Sequence, residues 1–306
     1  MLQPALGCRG RAGPAGMSRH DFAGCGALAL WAFLGVLARL AAGIPPLQMT
    51  AMGMAVGGLA ALLVVAARGR LGLLRQGGLA WAHGVGGLFG YHALYFAALA
   101  LAPAVEANLL NYLWPLLIVL LSAPLLGMAL GAARLVGVML GFAGCALLVG
   151  GGAGFPAGAM PGFLCAAAGA LVWALYSVTA RRMAAVPTEA VAGFCLGAAL
   201  LAGAAHLLFE PTVWPDLRQA GAVLLMGLGP LGAAFLLWDI GMKRGDPRLL
   251  GTLAYAVPIA STLLLLAAGE GQAGWRVLAA ALLVAGGGLL AATGGRGRRA
   301  APAVSS

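Results

Sequence analysis

Asn108, Asn111, Tyr112 and Pro115 bring polar chemistry into NLLNYLWPLLIVLL, a stretch otherwise apolar enough for the middle of a bilayer. Their spacing of i, i+3, i+4 and i+7 puts them on one face of a helix. Polar groups are costly in lipid unless they face a partner or a cavity. Pro115, beside Trp114, also removes a helical hydrogen bond and bends the chain. Similar residues recur at helical spacing elsewhere. Tyr91 and Tyr95 stand at i, i+4 with His92 next to them, and Trp173, Tyr176 and Ser177 cluster. Thr252, Tyr255, Ile259 and Thr262 share a face with Ser261 at its edge, and Trp31 stands alone among small residues. Brought together, these residues predict an aromatic-walled chamber with a few amides and hydroxyls. Such walls suit apolar or aromatic side chains and hold an ammonium by cation–π attraction. The amides and hydroxyls can orient a carboxylate or an amine without a fixed charge. No Lys or Arg stands at mid-membrane to clamp a phosphate.

Each of these residues has a plainer reading beside this one. An intramembrane aromatic can simply pack, or join an interfacial belt, the role that Trp81, Trp214 and Trp275 fit best. Asn108 and Asn111 can bridge two helices. Glu106, near the outer end of its segment, has no local cation; it either carries a proton for coupling or is solvated at the mouth. Asp239 stands four residues before Lys243, which suggests a structural ion pair.

The elements that position these groups follow from composition. Of 306 residues, 62% are hydrophobic and 8% charged, with a mean hydropathy of +0.98; a soluble domain carries about 25% charged residues. The chain cannot cover a water-facing surface, which makes it an integral membrane protein with the lipid bilayer as its partner. The 50 glycines fit close helix packing in lipid, although 17 Arg against the single Lys243 also points to a GC-rich coding bias. The net charge of +10 sits in short gaps between apolar stretches, as orientation signals do, so no nucleic acid is expected. Cys8, Cys25, Cys145, Cys165 and Cys195 show no paired spacing and read as small packing residues. His83, His92 and His206 are scattered, and there is no P-loop, Ser-His-Asp set or paired carboxylate. No metal, cofactor or enzyme activity is expected. Residues 1–16 have no apolar core and read as a disordered tail, with Met17 the more natural start.

A membrane helix needs about 20 mostly apolar residues. Ten stretches qualify, near 22–40, 46–67, 77–100, 104–126, 134–151, 161–180, 188–208, 219–241, 248–268 and 275–293. Backbone groups in lipid must be satisfied within their own segment, so these are helices. With the N-terminus in the cytoplasm, fifteen Lys and Arg residues fall inside and only Arg39, Arg218 and Arg276 outside.

The chain also repeats. WAFLGVLAR at Trp31–Arg39 matches WALYSVTAR at Trp173–Arg181, an offset of 142 that also pairs Gly90 with Gly232 and Arg134 with Arg276. An offset of 143 pairs Tyr112 with Tyr255 and Pro115 with Pro258. Five helices per copy is an odd number, so the second copy enters the membrane upside down, with a substrate site at mid-membrane between the halves. Pro115 and Pro258 are then matched hinges, and Pro230 in GLGPLG adds flexibility to the eighth span.

ALAPAVEANLLNYLWPLLIVLLSAPLLG and GLGPLGAAFLLWDIGMKRGDPRLLGTLAYAVPIASTLLLL together resemble the drug/metabolite transporter superfamily, and within it the members with two EamA domains. The chain is most similar there to bacterial aromatic amino acid exporters. The resemblance implies an all-α integral membrane fold of ten helices in two inverted five-helix repeats, 17–152 and 153–296, followed by a cytoplasmic tail at 297–306. It implies both termini in the cytoplasm of a bacterial inner membrane, and a central cavity built by helices 1, 3, 4, 6, 8 and 9. Matching positions for an aromatic lining are Trp31, Tyr91, Tyr95, Tyr112, Trp114 and Trp173. The expected activity is export of aromatic or apolar amino acids by alternating access, with a functional monomer. Export of amphiphilic cations is the alternative, weakened by the missing central anion; a membrane-embedded enzyme is a distant third. Single cysteines at positions 68 and 181 are expected to react with an impermeant thiol reagent from the same face of the membrane, and labelling from opposite faces would break the span count.

Overall fold

The computed structural model describes residues 18–127, 131–149, 158–183, 185–244, 250, 253–272 and 274–293, and within these the described residues are all-helical, without strands. The expected tails at 1–16 and 297–306, and the boundary between the repeats at 152, lie outside them.

The helices are α1 (Arg19–Ala32), α2 (Leu34–Leu40), α3 (Pro46–Ala67), α4 (Gly78–Leu101), α5 (Ala104–Asn111), α6 (Trp114–Leu126) and α7 (Ala132–Val149). They continue with α8 (Met160–Thr179), α9 (Ala190–Phe209), α10 (Leu217–Leu228), α11 (Ala234–Arg244), α12 (Val257–Ala267) and α13 (Trp275–Thr293). Six helical rods are long and apolar enough to cross a membrane: Arg19–Leu40, Pro46–Ala67, Gly78–Leu101, Met160–Thr179, Ala190–Phe209 and Leu217–Trp238. Leu135–Gly144, Ala254–Ala267 and Trp275–Leu290 are shorter apolar helices.

Local chemistry sets the ends. Ser18 and Asp21 form a reciprocal capping box on α1, with Asp21 N–H donating to Ser18 Oγ at 3.2 Å and Ser18 N–H to Asp21 Oδ2 at 2.8 Å. Asp216 and Gln219 do the same for α10. The cap on α3 comes from another helix. Leu47 and Gln48 N–H donate to the Glu210 carboxylate at 3.0 and 3.1 Å, and His206 Nδ1 sits 2.9 Å from the same group. Negative charge is favourable at a helix N-terminus, so this cap ties the end of α9 to the start of α3.

The prolines break helices in a different way from the one expected. A proline in a helix interior was to bend each rod. Instead the chain is interrupted at Tyr112–Leu113, and Pro115 falls in the first turn of α6. Pro258 likewise falls in the first turn of α12, after a 3-10 turn over Ala254–Ala256. A missing N–H costs nothing in a first turn. Tyr112 N–H still reaches Asn108 O and Leu109 O at 3.1 Å, and the Val257 N–H reaches Ala254 O. Pro124, not singled out from the sequence, lies inside α6. At Pro230 the rod makes a π turn over Gly229–Ala233, with Ala234 N–H reaching back to Gly229 O. The side chains of Asp239 and Lys243, expected to pair, lie outside the described ones.

Helix pairing obeys a rule. The extensive contacts are α3 with α9, α7 with α13, α4 with α8 and α1 with α11, while α5 meets α12. Adding the 142-residue offset turns α3 into α9 and α7 into α13, and it exchanges the α4–α8 pair with the pair α11–α1. The packing is therefore unchanged when the two matched segments are swapped. Close approach depends on glycine where α3 meets α10 and the π turn. A Cβ on Gly57 would stand 2.6 Å from Leu231 O and 2.8 Å from Gly227 O, and one on Gly232 would stand 2.6 Å from Gly227 O. Gly57→Val is expected to destabilise the protein by about 1–3 kcal/mol, the usual cost of overpacking, read as a lower midpoint in thermal unfolding in detergent. An exposed change such as Gly86→Ala, with nothing near its Cβ, serves as the neutral control.

Candidate functional site

Helices α1, α2, α4, α5, α6, α8, α11 and α12 converge on one interior space. Its walls are Leu28 and Trp31 of α1, Leu34 of α2, Tyr91, His92 and Tyr95 of α4, and Asn111, Tyr112 and Trp114 around the α5–α6 break. Trp173 of α8, Phe235 of α11 and Val257 of α12 complete them. The cavity volume is about 30 Å³, room for a water or two. No Asp, Glu, Lys or Arg is among these lining residues.

The rings are locked edge to face. Trp31 meets Trp238 at 5.2 Å between ring centres, Phe235 at 6.0 Å and Trp173 at 6.4 Å. Trp173 in turn meets Tyr91 at 4.9 Å and Trp114 at 6.4 Å. Such T-shaped and tilted pairs are the favoured geometries for aromatic quadrupoles. Trp31 is held by more than packing: its indole N–H donates to Pro230 O at 3.1 Å. The π turn at Pro230 sets this carbonyl toward α1, and the indole fills its need for a donor.

Above the rings runs a polar chain. Tyr95 O–H donates to Asn108 Oδ1 at 2.9 Å, and Asn108 Nδ2 donates to Ser261 Oγ at 2.9 Å. The Tyr112 hydroxyl also bonds to Ser261. The chain links α4, α5, the break and α12. Beside it, Asn111 Nδ2 donates to the Tyr91 hydroxyl at 3.0 Å, so the Tyr91 proton remains available to an acceptor. Asn111 Oδ1 is buried and has no hydrogen-bond partner among the described residues. His92 Nδ1 lies 2.8 Å from Leu88 O; a carbonyl only accepts, so the ring proton sits on Nδ1.

The residues singled out from the sequence thus divide. Trp31, Tyr91, Tyr95, Asn111, Tyr112, Trp114 and Trp173 line the cavity. Asn108 and Ser261 stand behind it and hold the tyrosines. Tyr176 is turned away, stacked on His83 at 4.6 Å and laid over Gly87 of α4. Tyr255 does not follow its repeat partner Tyr112. Its ring lies on Gly288 of α13, where a Cβ would collide with the ring. Pro115 and Pro258 are buried in the turns that begin α6 and α12. Glu106 is half-buried in the first turn of α5, and its Oε2 is shut from solvent without a partner among the described residues.

Phe235 and Trp238 are additions to the sequence reading. Phe235 and Trp238 are spaced i, i+3 on α11, a signal that could have found them. His92, noted from the sequence as the neighbour of Tyr91 and Tyr95, lines the cavity with them, and no metal-binding group of three or more exists among the described residues.

The chain matches the EamA-like transporter family twice, over residues 19–150 and 160–293. It is 52% identical over 247 residues to the aromatic amino acid exporter YddG of Ancylobacter novellus, covering 79% of this chain and 86% of that one. It is 25% identical over 172 residues to the aromatic amino acid exporter YddG of Salmonella typhimurium, covering 53% and 57%. A solved crystal structure aligns with a TM-score of 0.73 at 48% identity, over 90% of this chain and 98% of the other.

Asn108→Leu is expected to cost about 1–3 kcal/mol, because it leaves the Tyr95 and Ser261 hydroxyls buried without their partner. Tyr95→Phe removes one bond and strands only the Asn108 oxygen, so its loss of thermal stability in detergent should be the smaller of the two.

Proposed function

Because the chain belongs to the EamA-like transporter family, we propose that it exports zwitterionic amino acids with aromatic or apolar side chains across a bacterial inner membrane. The observation that carries this reading is the cavity: six tryptophan and tyrosine rings, one buried amide oxygen without a partner and no fixed charge. A zwitterion carries no net charge, so such a space need not neutralise one. Its side chain packs among Trp31, Trp114 and Trp173. Its ammonium donates to Asn111 Oδ1 and rests against ring faces. Its carboxylate accepts from the Tyr91 and Tyr112 hydroxyls. The relative from Ancylobacter novellus, which bears the name of aromatic amino acid exporter, supports the substrate class.

A ring the size of benzene occupies a cavity of about 150 Å³, while the central space measures about 30 Å³. Substrate therefore enters only as the walls part, the behaviour of a carrier that alternates between states rather than of an open channel. The proposed frame is ten spans in two inverted repeats, 17–152 and 153–296, with both termini in the cytoplasm. The swap-invariant helix pairing supports it. The breaks before Pro115 and Pro258 act as hinges, and one chain suffices for the pathway. Glu106, with one carboxylate oxygen shut away, is the candidate for coupling to a proton.

Proteoliposomes loaded with labelled phenylalanine should release it through the wild-type protein. Trp31→Ala and Tyr112→Ala should lower that flux by roughly tenfold or more, equivalent to about 1.4 kcal/mol, while both still elute as folded protein. Unchanged flux in both would remove the cavity from the pathway. Flux of an amphiphilic cation without flux of any amino acid would favour the second reading.

A further inference from the structure

A second cavity, of about 300 Å³, lies beside the C-terminal end of α2. Its walls include Ala38, Ile44, Met49, Phe96 and Leu99, and one charged side chain, Arg39. It is a neighbour of the central site. Phe96 lies one turn beyond His92 on α4, and Ala38 one turn beyond Leu34 on α2, so a single layer of side chains separates the two spaces. That layer contains Tyr95, whose ring is 5.7 Å from Phe96.

Arg39 is only partly engaged. Its Nε donates to Glu270 Oε2 at 2.9 Å and its Nη1 to Leu99 O at 3.3 Å. A guanidinium has further N–H groups to offer. Glu270 is delivered from across the molecule by the turn that ends α12: Gly269 takes φ 82°, and Glu270 N–H reaches back to Leu265 O at 2.9 Å. Both partners of the pair are about 30% exposed, at 30% and 29% of their side-chain surface. Water can therefore reach the released carboxylate.

We infer that Arg39 and this cavity form an outer subsite, which takes the carboxylate of the departing amino acid in exchange for Glu270. The inference rests on the export reading and on the outward placement of Arg39. A cavity of this size accepts an apolar side chain, and a guanidinium binds a carboxylate through two parallel hydrogen bonds. Exchanging one carboxylate for another keeps Arg39 paired throughout, so no charge is stranded in a half-buried place. When Glu270 returns, it displaces the substrate to the outside. The subsite thus selects for a free carboxylate, which nothing in the uncharged central cavity does as strongly.

Calorimetric titration of the detergent-purified protein with L-phenylalanine and with L-phenylalaninamide, whose carboxylate is replaced by a neutral amide, tests this. Wild type should bind the acid roughly tenfold tighter than the amide. Glu270→Gln should widen that ratio by removing the internal competitor. Arg39→Gln should abolish it and Arg39→Lys should retain part of it. If Arg39→Gln fails to fold, the wild-type ratio and Glu270→Gln decide the matter. Equal affinity of wild type for acid and amide, or an unchanged ratio in Glu270→Gln or a folded Arg39→Gln, would overturn the subsite and leave the export reading intact. A wild type that binds neither compound and moves no amino acid in vesicles would overturn both.

Discussion

A helix in hydrocarbon can be interrupted only where another group takes over the hydrogen bond that the break gives up, and this constraint shapes the centre of the molecule. Besides the turn at Phe33 between α1 and α2, interruptions fall close to the cavity at Tyr112–Leu113, at Ala254–Ala256 and at Gly229–Ala233. Each has its substitute. The first is bridged by Tyr112 N–H bonds to two earlier carbonyls, and the second by a three-residue bond from Val257. The third uses the long reach of Ala234 N–H together with the Trp31 indole. The last case joins structure to chemistry. The side chain that completes the backbone of one rod is also a wall of the cavity.

Glycine does the complementary task away from the cavity. Where α3 meets the π turn, backbone lies against backbone, and the Trp-rich centre is framed by a periphery of small residues. Tight outer pairs, α3 with α9 and α7 with α13, leave the α1, α4, α5, α8, α11 and α12 elements to bring the large side chains inward. The polar chain from Tyr95 through Asn108 to Ser261 then ties three of these together across the interior. Its members hold one another, so it orders the wall; Asn111, buried beside it and lining the cavity, keeps an oxygen without a partner among the described residues.

The six long spans and the shorter apolar helices could be read from the sequence because length and apolarity in lipid leave few alternatives, while the expected single span over 104–126 divides into α5 and α6. Much of the cavity could be read too. Trp31, Tyr91, Tyr95, Asn111, Tyr112, Trp114 and Trp173 were chosen because polar and aromatic groups inside spans need a reason. Period, however, fixes a face and not its neighbour. Tyr255 shares sequence context with Tyr112 yet meets Gly288, since a glycine on α13 offers its ring a closer seat. Tyr176 sits one helical step from Trp173 and is drawn to Gly87 and His83 instead. The prolines were legible as interruptions but not as first-turn residues, because a proline signals an end and a beginning equally well. The π turn and the meeting of Arg39 with Glu270, 231 residues apart, depend on tertiary packing, which leaves no local trace.

The smallness of the central space has a mechanical corollary. A cavity of about 30 Å³ must grow several-fold to admit a ring, and the rods around it face lipid directly. On the proposed carrier mechanism, every turnover would push hydrocarbon chains aside and let them return, which would make the stiffness and lateral pressure of the host bilayer part of the barrier to transport.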